Sequence, residues 1–337
     1  AGTGSPGASI GSSAVSTLLN LPEALAVEAS SGAVFIADRG NRRVLRVDRS
    51  GSVRHFAGVW GIISNDDGLP ATEASMGQLA GLSFDNARGV LYISDRFRCD
   101  VRTVDVESGI IRTAVRCPPS QSLTAPFGVA LDPSGGVAIS DVNLSRISKL
   151  NVAGVIETLA GAKRPNAGDG GPARDAVVFQ PHMSISDGEG GTFVADTGNC
   201  VIRRISASGT MSEFAGVVCT RPFSVSGSWP NGFPASSAAL SDPAGLARDR
   251  GGNLYVSEGI SVHRINIRDR VIREISRGLS GPAGIALDLT EENLYVAETT
   301  GHRIMRIHLE TGARSVFAGP LDSTPGFAAR SAAESPE

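Results

Sequence analysis

The sequence is short of lysine, aromatic residues and long apolar runs, and each shortage narrows what the protein can be. Lys149 and Lys163 are the only lysines, and the formal net charge is −3. A nearly neutral chain gives no general electrostatic reason to expect a nucleic-acid partner. No run approaches the roughly 18 apolar residues that a membrane-spanning helix requires, so no membrane insertion is expected. Because aromatic residues make up only 5% of the chain, the core must rest on Val, Ile, Leu and Ala.

An internal repeat dominates the sequence. Six times an apolar strand runs directly into an acidic residue, and these acids are Asp38, Asp95, Asp141, Asp196, Glu258 and Glu298. A strand of the Pro-x-Gly type precedes each acid, and an arginine-rich strand and a fourth strand follow it. A period of roughly forty residues with four short strands is typical of a β-propeller blade. The sequence therefore predicts an all-β, six-bladed β-propeller with four antiparallel strands per blade.

We expect residues 1–337 to form a single domain, because each blade of a propeller buries its faces against its neighbours. The predicted blades are 21–58, 78–116, 123–161, 180–216, 240–277 and 279–319. The ends, 1–20 and 320–337, look like connecting spacers, and the chain does not begin with Met, so it is expected to be processed or part of a longer chain. The six acids are expected to accept backbone amides of the turns that follow them, since every blade has one.

The four cysteines occupy repeated positions in two blades. Cys99 and Cys200 each lie four residues after the acid, and Cys117 and Cys219 lie just past the fourth strand. Because the third and fourth strands form an antiparallel hairpin, each pair comes within disulfide reach. Of the three possible connectivities, this geometry favours Cys99–Cys117 and Cys200–Cys219; the alternative is four free thiols. Disulfides would indicate an oxidising compartment, and hence a secreted protein or the extracellular face of a membrane-anchored parent chain.

Several segments resemble the NHL-repeat family. ADRGNRRVLRVD (37–48), ADTGNCVIRRIS (195–206) and AETTGHRIMRIH (297–308) look like variants of its central motif. AGDGGPARDA (167–176) is similar to the spacer between NHL repeats of bacterial and teneurin-like proteins, and DDGLPATEA (66–74) and NGFPASSAA (231–239) are looser copies. The resemblance covers essentially the whole chain. It implies a propeller, usually six-bladed, that serves mostly for binding.

Some propellers of this kind are enzymes, and the peptidyl-hydroxyglycine amidating lyases resemble this chain in fold. They hold zinc with histidines that directly follow the first-strand proline in three blades. Here a histidine stands there once, as His182, and the other blades carry, at or near that position, Glu23, Gly81, Phe127, Ala244 and Ala283. One histidine cannot build a three-histidine site. We therefore predict no catalytic residue, no metal site and no cofactor, with a structural calcium left open at Asp66, Asp67 and Asp169.

The long connecting segments 59–77, 162–179 and 217–239 are expected on the face where the first strands begin. Aromatic and basic residues on long loops over a rigid scaffold are typical of a binding surface. The binding-face candidates, including residues at the channel mouth, are Glu23, Trp60, Phe127, Arg164, His182, Arg221, Phe223, Trp229 and Phe233. The equally weighted alternative is that the loop aromatics hold their own loops down. Asn143 begins an acceptor sequon in an exposed turn and is a candidate glycosylation site.

The predicted function is that of a non-catalytic secreted or ectodomain propeller that presents its loop-rich face to a protein or glycan partner. One alternative is a metal-dependent lyase or hydrolase that acts in the central channel. The other is an RNA-binding NHL domain that uses the third-strand arginines Arg42, Arg43, Arg46, Arg203, Arg204, Arg303 and Arg306. These arginines recur blade by blade, so we expect them to cover the flanks with their aliphatic stems.

Overall fold

The computed structural model describes residues 13–59, 66–117, 123–132, 135–161, 168–219, 229 and 232–319. These residues form six antiparallel sheets, one per blade, and the predicted six-bladed, all-β propeller is confirmed. The helices among them are single 3-10 turns at Ala14–Ser16, Arg39–Asn41, Ala173–Asp175, Thr197–Asn199 and Ala235–Ser237. None of these turns has the length or the apolar character to cross a membrane.

Within each blade the four main strands pair in chain order from the axis outward, and blade five carries one extra strand at its outer edge. Blade one has β1 (Pro22–Val27), β2 (Val34–Asp38), β3 (Arg43–Val47) and β4 (Val53–Ala57), and blade two has β5 (Leu79–Asp85), β6 (Val90–Asp95), β7 (Asp100–Asp105) and β8 (Ile111–Arg116). Blade three has β9 (Pro126–Leu131), β10 (Val137–Asp141), β11 (Arg146–Leu150) and β12 (Ile156–Ala160), and blade four has β13 (Ser184–Ser186), β14 (Thr192–Asp196), β15 (Val201–Ile205) and β16 (Met211–Gly216). Blade five has β17 (Phe233–Pro234), β18 (Leu246–Arg248), β19 (Asn253–Glu258), β20 (Ser261–Asn266) and β21 (Val271–Arg277), and blade six has β22 (Pro282–Leu287), β23 (Asn293–Glu298), β24 (Arg303–His308) and β25 (Arg314–Ala318).

The second strand of each blade forms the centre of the core. Every residue of β2, β10 and β14 is buried, including the terminal acid. A short, continuous apolar run bounded by turns is the pattern of a strand that is covered on both faces. The first strand carries small residues because the blades converge there: a Cβ on Gly128 would collide with the backbone carbonyl of His182 in the next blade.

The acid that ends each second strand binds the segment leading into the first strand of its own blade. Asp38 accepts the N–H of Asn20 at 2.7 Å, and Asp196 accepts that of Phe179 at 2.7 Å. All six acids are buried. The predicted bonds to backbone amides of the following turn occur at Asp95 and Asp141. The contact that all six acids share is instead with the chain segment that precedes the blade.

Each long spacer pairs with the outer edge of the blade that follows it, through a single bridge in blades two and four and a short strand in blade five. Pro70 bridges to Ile110 and Pro172 to Thr210, and β17 pairs with β21. The alanine after each proline is buried, and its N–H donates to a turn carbonyl of that blade; the pairs are Ala71 to Gly109, Ala173 to Gly209 and Ala235 to Arg270, at 2.7–2.8 Å. The Pro-Ala pattern thereby covers the exposed backbone of an edge strand. The fifth strand of blade five was not expected from the sequence.

The ring closes between blade six and blade one. All four strands of blade six come from the one continuous stretch 282–318, so β25 is not contributed by the N-terminal part of the chain. The Thr299 hydroxyl donates to the Pro22 carbonyl at 2.8 Å, and the Leu21 N–H donates to His302 Nδ1 at 3.1 Å. Ala14 also binds both neighbours: its N–H donates to the Gly51 carbonyl at 2.7 Å, and its carbonyl accepts the N–H of Gly319 at 3.1 Å.

Candidate ligand site at the mouth of the central axis

A small cavity lies on the axis where the first strands begin. Its lining includes the second residue of the first-strand motif from five blades, namely Glu23, Phe127, His182, Ala244 and Ala283. The space available to the centre of a water molecule is about 10 Å³, which is room for about one water. A larger ligand would therefore sit over this mouth rather than inside the axis.

The structure corrects the sequence-based assignment of one first-strand residue in blade two. Gly81 matches Gly128 and Gly245, because all three glycines donate their N–H to the serine that precedes the blade acid. The residue of blade two that corresponds to Phe127 and His182 is consequently Ala80 rather than Gly81. The mouth is thus lopsided, with large or charged side chains on blades one, three and four and alanine on the others.

Two arginines complete the mouth cluster, which we define as Glu23, Arg39, Arg96, Phe127 and His182. The Phe127 and His182 rings stack with centroids 4.3 Å apart and planes 12° from parallel. The Arg96 guanidinium lies over the Phe127 ring, 5.2 Å from its centroid. Arg39 Nε is 3.2 Å from Glu23 Oε2. The structure brings together three residues that the sequence had named as candidates and adds two arginines that it had not.

The two arginines come from equivalent places. Each directly follows a blade acid, so each begins the turn from a second to a third strand. The residue after the acid also faces a first strand in blades four and six, where Thr197 and Thr299 donate to proline carbonyls of the next blade. The signal that could have identified Arg39 and Arg96 was therefore their repeat position, one residue beyond the acid.

Burial shapes the electrostatics of the mouth cluster. Desolvation raises the pKa of Glu23, and the charges of Arg39 and Arg96 oppose that shift. Desolvation, followed by the charge of Arg96, lowers the pKa of His182 to about 4, so its imidazole is neutral at physiological pH. Among the described residues, no carboxylate lies within 4.0 Å of the Arg96 guanidinium, and its Nε is buried without a hydrogen-bond partner.

The face that carries this mouth also carries the turns between second and third strands, and we call it the turn face. Six of the exposed large apolar side chains among the described residues lie on it, in those turns or in the segments between blades: Leu18, Phe97, Phe179, Val217, Val218 and Ile260. Among the described residues, Phe97 is the most exposed aromatic, at 63%. The other four exposed apolar residues lie elsewhere: Val152 and Val155 in a turn between third and fourth strands on the opposite face, and Val15 and Leu69 in edge segments that bind beside such turns.

The other predicted binding-face residues separate into two groups. Trp229 lies 6.3 Å from Phe233 and 4.9 Å from His263 between ring centroids, and both aromatics are half-buried against the core of blades four and five. This packing gives them a role in holding their loop, and their place in a binding surface stays a prediction. Trp60, Arg164, Arg221 and Phe223 lie outside the described residues. Asn143 is exposed in the turn between β10 and β11, and its glycosylation also stays a prediction.

Both predicted disulfides are present. Cys99 is linked to Cys117 and Cys200 to Cys219, each with a Cα–Cα distance of 5.5 Å. Each bond ties the start of a third strand to the end of the fourth strand of the same blade, as the hairpin geometry predicts. Disulfides of this structural kind persist in oxidising compartments.

Two of the third-strand arginines, Arg43 and Arg203, do not lie along the flanks as expected, whereas Arg306 is exposed. Arg43 and Arg203 are buried and pair with the acids Asp38 and Asp196 at 2.7 and 3.1 Å. Arg46, Arg204 and Arg303 also pair with carboxylates. A buried carboxylate needs a partner, and the arginine that recurs after it supplies one. The charges of Arg43 and Arg203 are consequently used inside the blades, and those of the partly exposed Arg46, Arg204 and Arg303 are offset by paired carboxylates.

The acids considered for calcium also have protein partners. Asp67 pairs with the wholly buried Arg102 at 3.0 Å, and Asp169 lies 3.8 Å from Arg203. Asp66 accepts both the N–H and the hydroxyl of Ser75, at 2.9 and 2.7 Å. In the part of the chain that the structure describes, no group of three His, Cys, Asp or Glu residues is arranged to hold a metal ion. A structural calcium stays an untested prediction.

Comparison with curated proteins gives two distant relatives, and no family model matches the chain. Protein SUPPRESSOR OF QUENCHING 1, chloroplastic, of Arabidopsis thaliana is 27% identical over 226 residues, which cover 61% of this chain and 21% of that protein. NHL repeat-containing protein 2 of Bos taurus is 23% identical over 354 residues, which cover 89% of this chain and 48% of that protein. The chain therefore spans less than half the length of each of these relatives.

Solved structures of similar fold include proteins with different roles. A streptogramin B lyase has a TM-score of 0.58 at 16% identity, covering 91% of this chain and 86% of its own. The matching chain of a nidogen/laminin complex has a TM-score of 0.61 at 17% identity, covering 85% of this chain and 93% of its own. An auxiliary nutrient binding protein of Bacteroides thetaiotaomicron has a TM-score of 0.63 at 8% identity, covering 86% and 69%. At these identities the likeness shows the fold alone. Together with the six sheets, it makes this chain a six-bladed β-propeller, and its repeat motifs resemble those of NHL proteins.

Proposed function

We propose that this protein is a non-catalytic binding propeller, secreted or part of an ectodomain, that presents its turn face to a protein or glycan partner. The observation that carries the proposal is the uneven distribution of exposed apolar side chains. Phe97, Phe179 and Ile260 all emerge on the turn face. Exposed apolar side chains concentrated on one face of a protein are typical of an interaction site, and aromatic anchors dominate binding energies.

The disulfides support the extracellular part of the proposal. Cys99–Cys117 and Cys200–Cys219 both brace third-to-fourth-strand hairpins at the turn face. Such bonds are rare in reducing compartments. A hairpin that is already rigid loses less conformational entropy when a partner binds, and this favours affinity.

The enzymatic and RNA-binding alternatives receive less support from the described residues. The axis presents one histidine, His182, and its flat stack on Phe127 gives the ring a packing contact. Five of the seven arginines considered for RNA pair with carboxylates. The single histidine does not favour metal-dependent hydrolysis over a binding face. The paired arginines likewise do not favour a groove that binds the phosphates of RNA.

The test is a binding screen with matched surface variants. Purified protein would be applied to arrays of defined glycans and secreted proteins, and each hit would be titrated with two variants. The double variant Phe97→Ser/Ile260→Ser alters the turn face, and Val152→Ser/Val155→Ser makes a similar change on the opposite face. We expect the first to weaken binding at least tenfold and the second to leave it unchanged.

Two results would contradict the proposal. One is a partner whose binding is weakened equally by both double variants, because the turn face would then have no special role. The other is an absence of array hits together with RNA binding whose affinity falls steeply with salt.

A further inference from the structure

We propose that the mouth cluster is a subsite for the carboxylate-bearing unit of an acidic sugar, with Arg96 as the partner of the carboxylate. This inference rests on the proposed binding function and names the ligand class that one part of the turn face recognises. It concerns Glu23, Arg39, Arg96, Phe127 and His182.

Arg96 is the first line of support. Arg43, Arg102 and Arg203 each pair with a carboxylate at 2.7–3.1 Å. Arg96 has none within 4.0 Å among the described residues, although its Nε is buried. A partly buried cation without a carboxylate in contact is costly, so an anion brought by a ligand would relieve that cost. The planar fork of a guanidinium matches the two oxygens of a carboxylate.

The position of Arg96 is also fixed before a ligand arrives. Its guanidinium lies 5.2 Å from the centroid of Phe127, and Phe127 stacks in turn on His182. This cation–π contact holds the side chain over the mouth. A preorganised side chain loses less rotamer entropy when a ligand binds, and this favours affinity.

The charge balance of the mouth favours one negative group. Arg39 lies 3.2 Å from Glu23 and offsets its carboxylate. Arg96 then leaves one positive charge in excess, because His182 is neutral with a pKa of about 4. A ligand with a single carboxylate would neutralise the site.

The groups around Arg96 favour a ligand that also carries hydroxyls. The Glu23 carboxylate accepts hydrogen bonds, and a neutral histidine such as His182 donates from one ring nitrogen and accepts at the other. A hydroxylated ring can satisfy both groups while its carboxylate pairs with Arg96. The alanines of blades five and six, Ala244 and Ala283, leave space on the other side of the mouth for the rest of the sugar.

The depth of the cavity limits how the ligand sits. With about 10 Å³ available, the axis holds a water molecule but not a sugar ring. The acidic unit must therefore lie across the mouth, with the remainder of the glycan on the turn face. This arrangement fits an exposed or terminal uronic acid.

The experiment uses methyl glucuronide and methyl glucoside as probes, since they differ only in the carboxylate. Isothermal titration at low salt is expected to show at least tenfold tighter binding of the glucuronide. Arg96→Gln should abolish that preference, and Arg96→Lys, which keeps the charge but loses the fork, should retain part of it. Arg250→Gln is the matched control, because Arg250 is exposed and pairs with Glu291 beyond the mouth cluster.

Three results would overturn the inference. Equal binding of the two probes would show that the carboxylate is not recognised, and an unchanged preference in Arg96→Gln would remove Arg96 from the site. If acetate or a peptide with a free C-terminal carboxylate binds as tightly as the glucuronide, the ligand class is wrong. None of these three results would affect the binding of a partner through Phe97. Failure of this inference is therefore distinguishable from failure of the proposed function.

Discussion

At the scale of single residues, the position after the blade acid decides which side chain faces a first strand near the axis. Thr197 uses it to bind a proline carbonyl, and Arg96 uses it to cover Phe127. The repeat therefore supplies the same geometric position six times. The side chain at that position forms either a structural hydrogen bond between blades or a contact of the candidate site. The sequence reveals the repeat but not this choice, because Arg96 and Phe127 meet across two blades and 31 positions of sequence.

His182 should make the protein sensitive to acid. Its folded pKa of about 4 lies below the ordinary value of 6.5, so the unfolded chain binds more protons between these values. The contribution of the neutral His182 to the free energy of unfolding is therefore fully present above pH 6.5. It is lost as the pH decreases toward 4, and the loss is roughly 3 kcal/mol at 1.36 kcal/mol per pKa unit. Urea unfolding at pH 7.5 and 4.5 should show a smaller acid-induced loss in His182→Ala than in the natural protein.

The alanine substitution is a conservative choice for that measurement. Blades two, five and six carry Ala80, Ala244 and Ala283 at the same position, so the backbone accepts alanine there. If the acid-induced loss is the same with and without His182, burial does not shift its titration as described.

At the scale of strands and loops, the sequence predicted the features that recur from blade to blade. It missed the contacts that form between segments far apart in the chain. The blade period and the hairpin register predicted both disulfides, because Cys99 and Cys200 sit at one repeat position. The edge strand Phe233–Pro234 was missed, since a proline in a loop motif gives no sign of a β partner. The pairing of Asp67 with Arg102 was missed because spacer and strand lie 35 positions apart.

The two disulfides should stabilise the fold equally. They close loops of 18 and 19 residues, and the chain-entropy model gives about 3 kcal/mol for either loop. Denaturant unfolding of Cys99→Ser/Cys117→Ser and of Cys200→Ser/Cys219→Ser should therefore show similar losses. A loss well below 1 kcal/mol in one pair would mean that its hairpin is already constrained in the unfolded chain.

The spacer alanines should resist enlargement. Ala173 is 1% exposed and its N–H binds the Gly209 carbonyl at 2.7 Å, so Ala173→Leu should cost about 1–3 kcal/mol through overpacking. Arg174 is its exposed neighbour, and Arg174→Leu should change stability by less than about 0.5 kcal/mol. Thermal unfolding distinguishes the two variants, and equal losses would mean that the spacer does not dock on blade four.

At the scale of the whole molecule, ring closure relies on contacts that also occur within the ring. Thr299 binds Pro22 at the closure with the same type of hydrogen bond that Thr197 makes to Pro243 between blades four and five. Each blade is built from continuous chain, so no shared sheet locks blade six to blade one. The stability of the closed ring must therefore come from side-chain packing and a few hydrogen bonds at that junction.

This view predicts matched effects of two substitutions. Thr299→Val and Thr197→Val each remove one hydrogen bond at 2.8 and 2.6 Å and keep the shape of the side chain. If the ring is closed in solution, each should cost about 1 kcal/mol in denaturant unfolding, and hydrogen exchange at Leu21 should remain slow in both. If the closure opens, Thr299→Val would cost nothing while Thr197→Val would keep its effect, and the amide of Leu21 would exchange rapidly. Equal losses of stability would mean that the junction between blades six and one, which no continuous backbone crosses, is as stable as the junction between blades four and five.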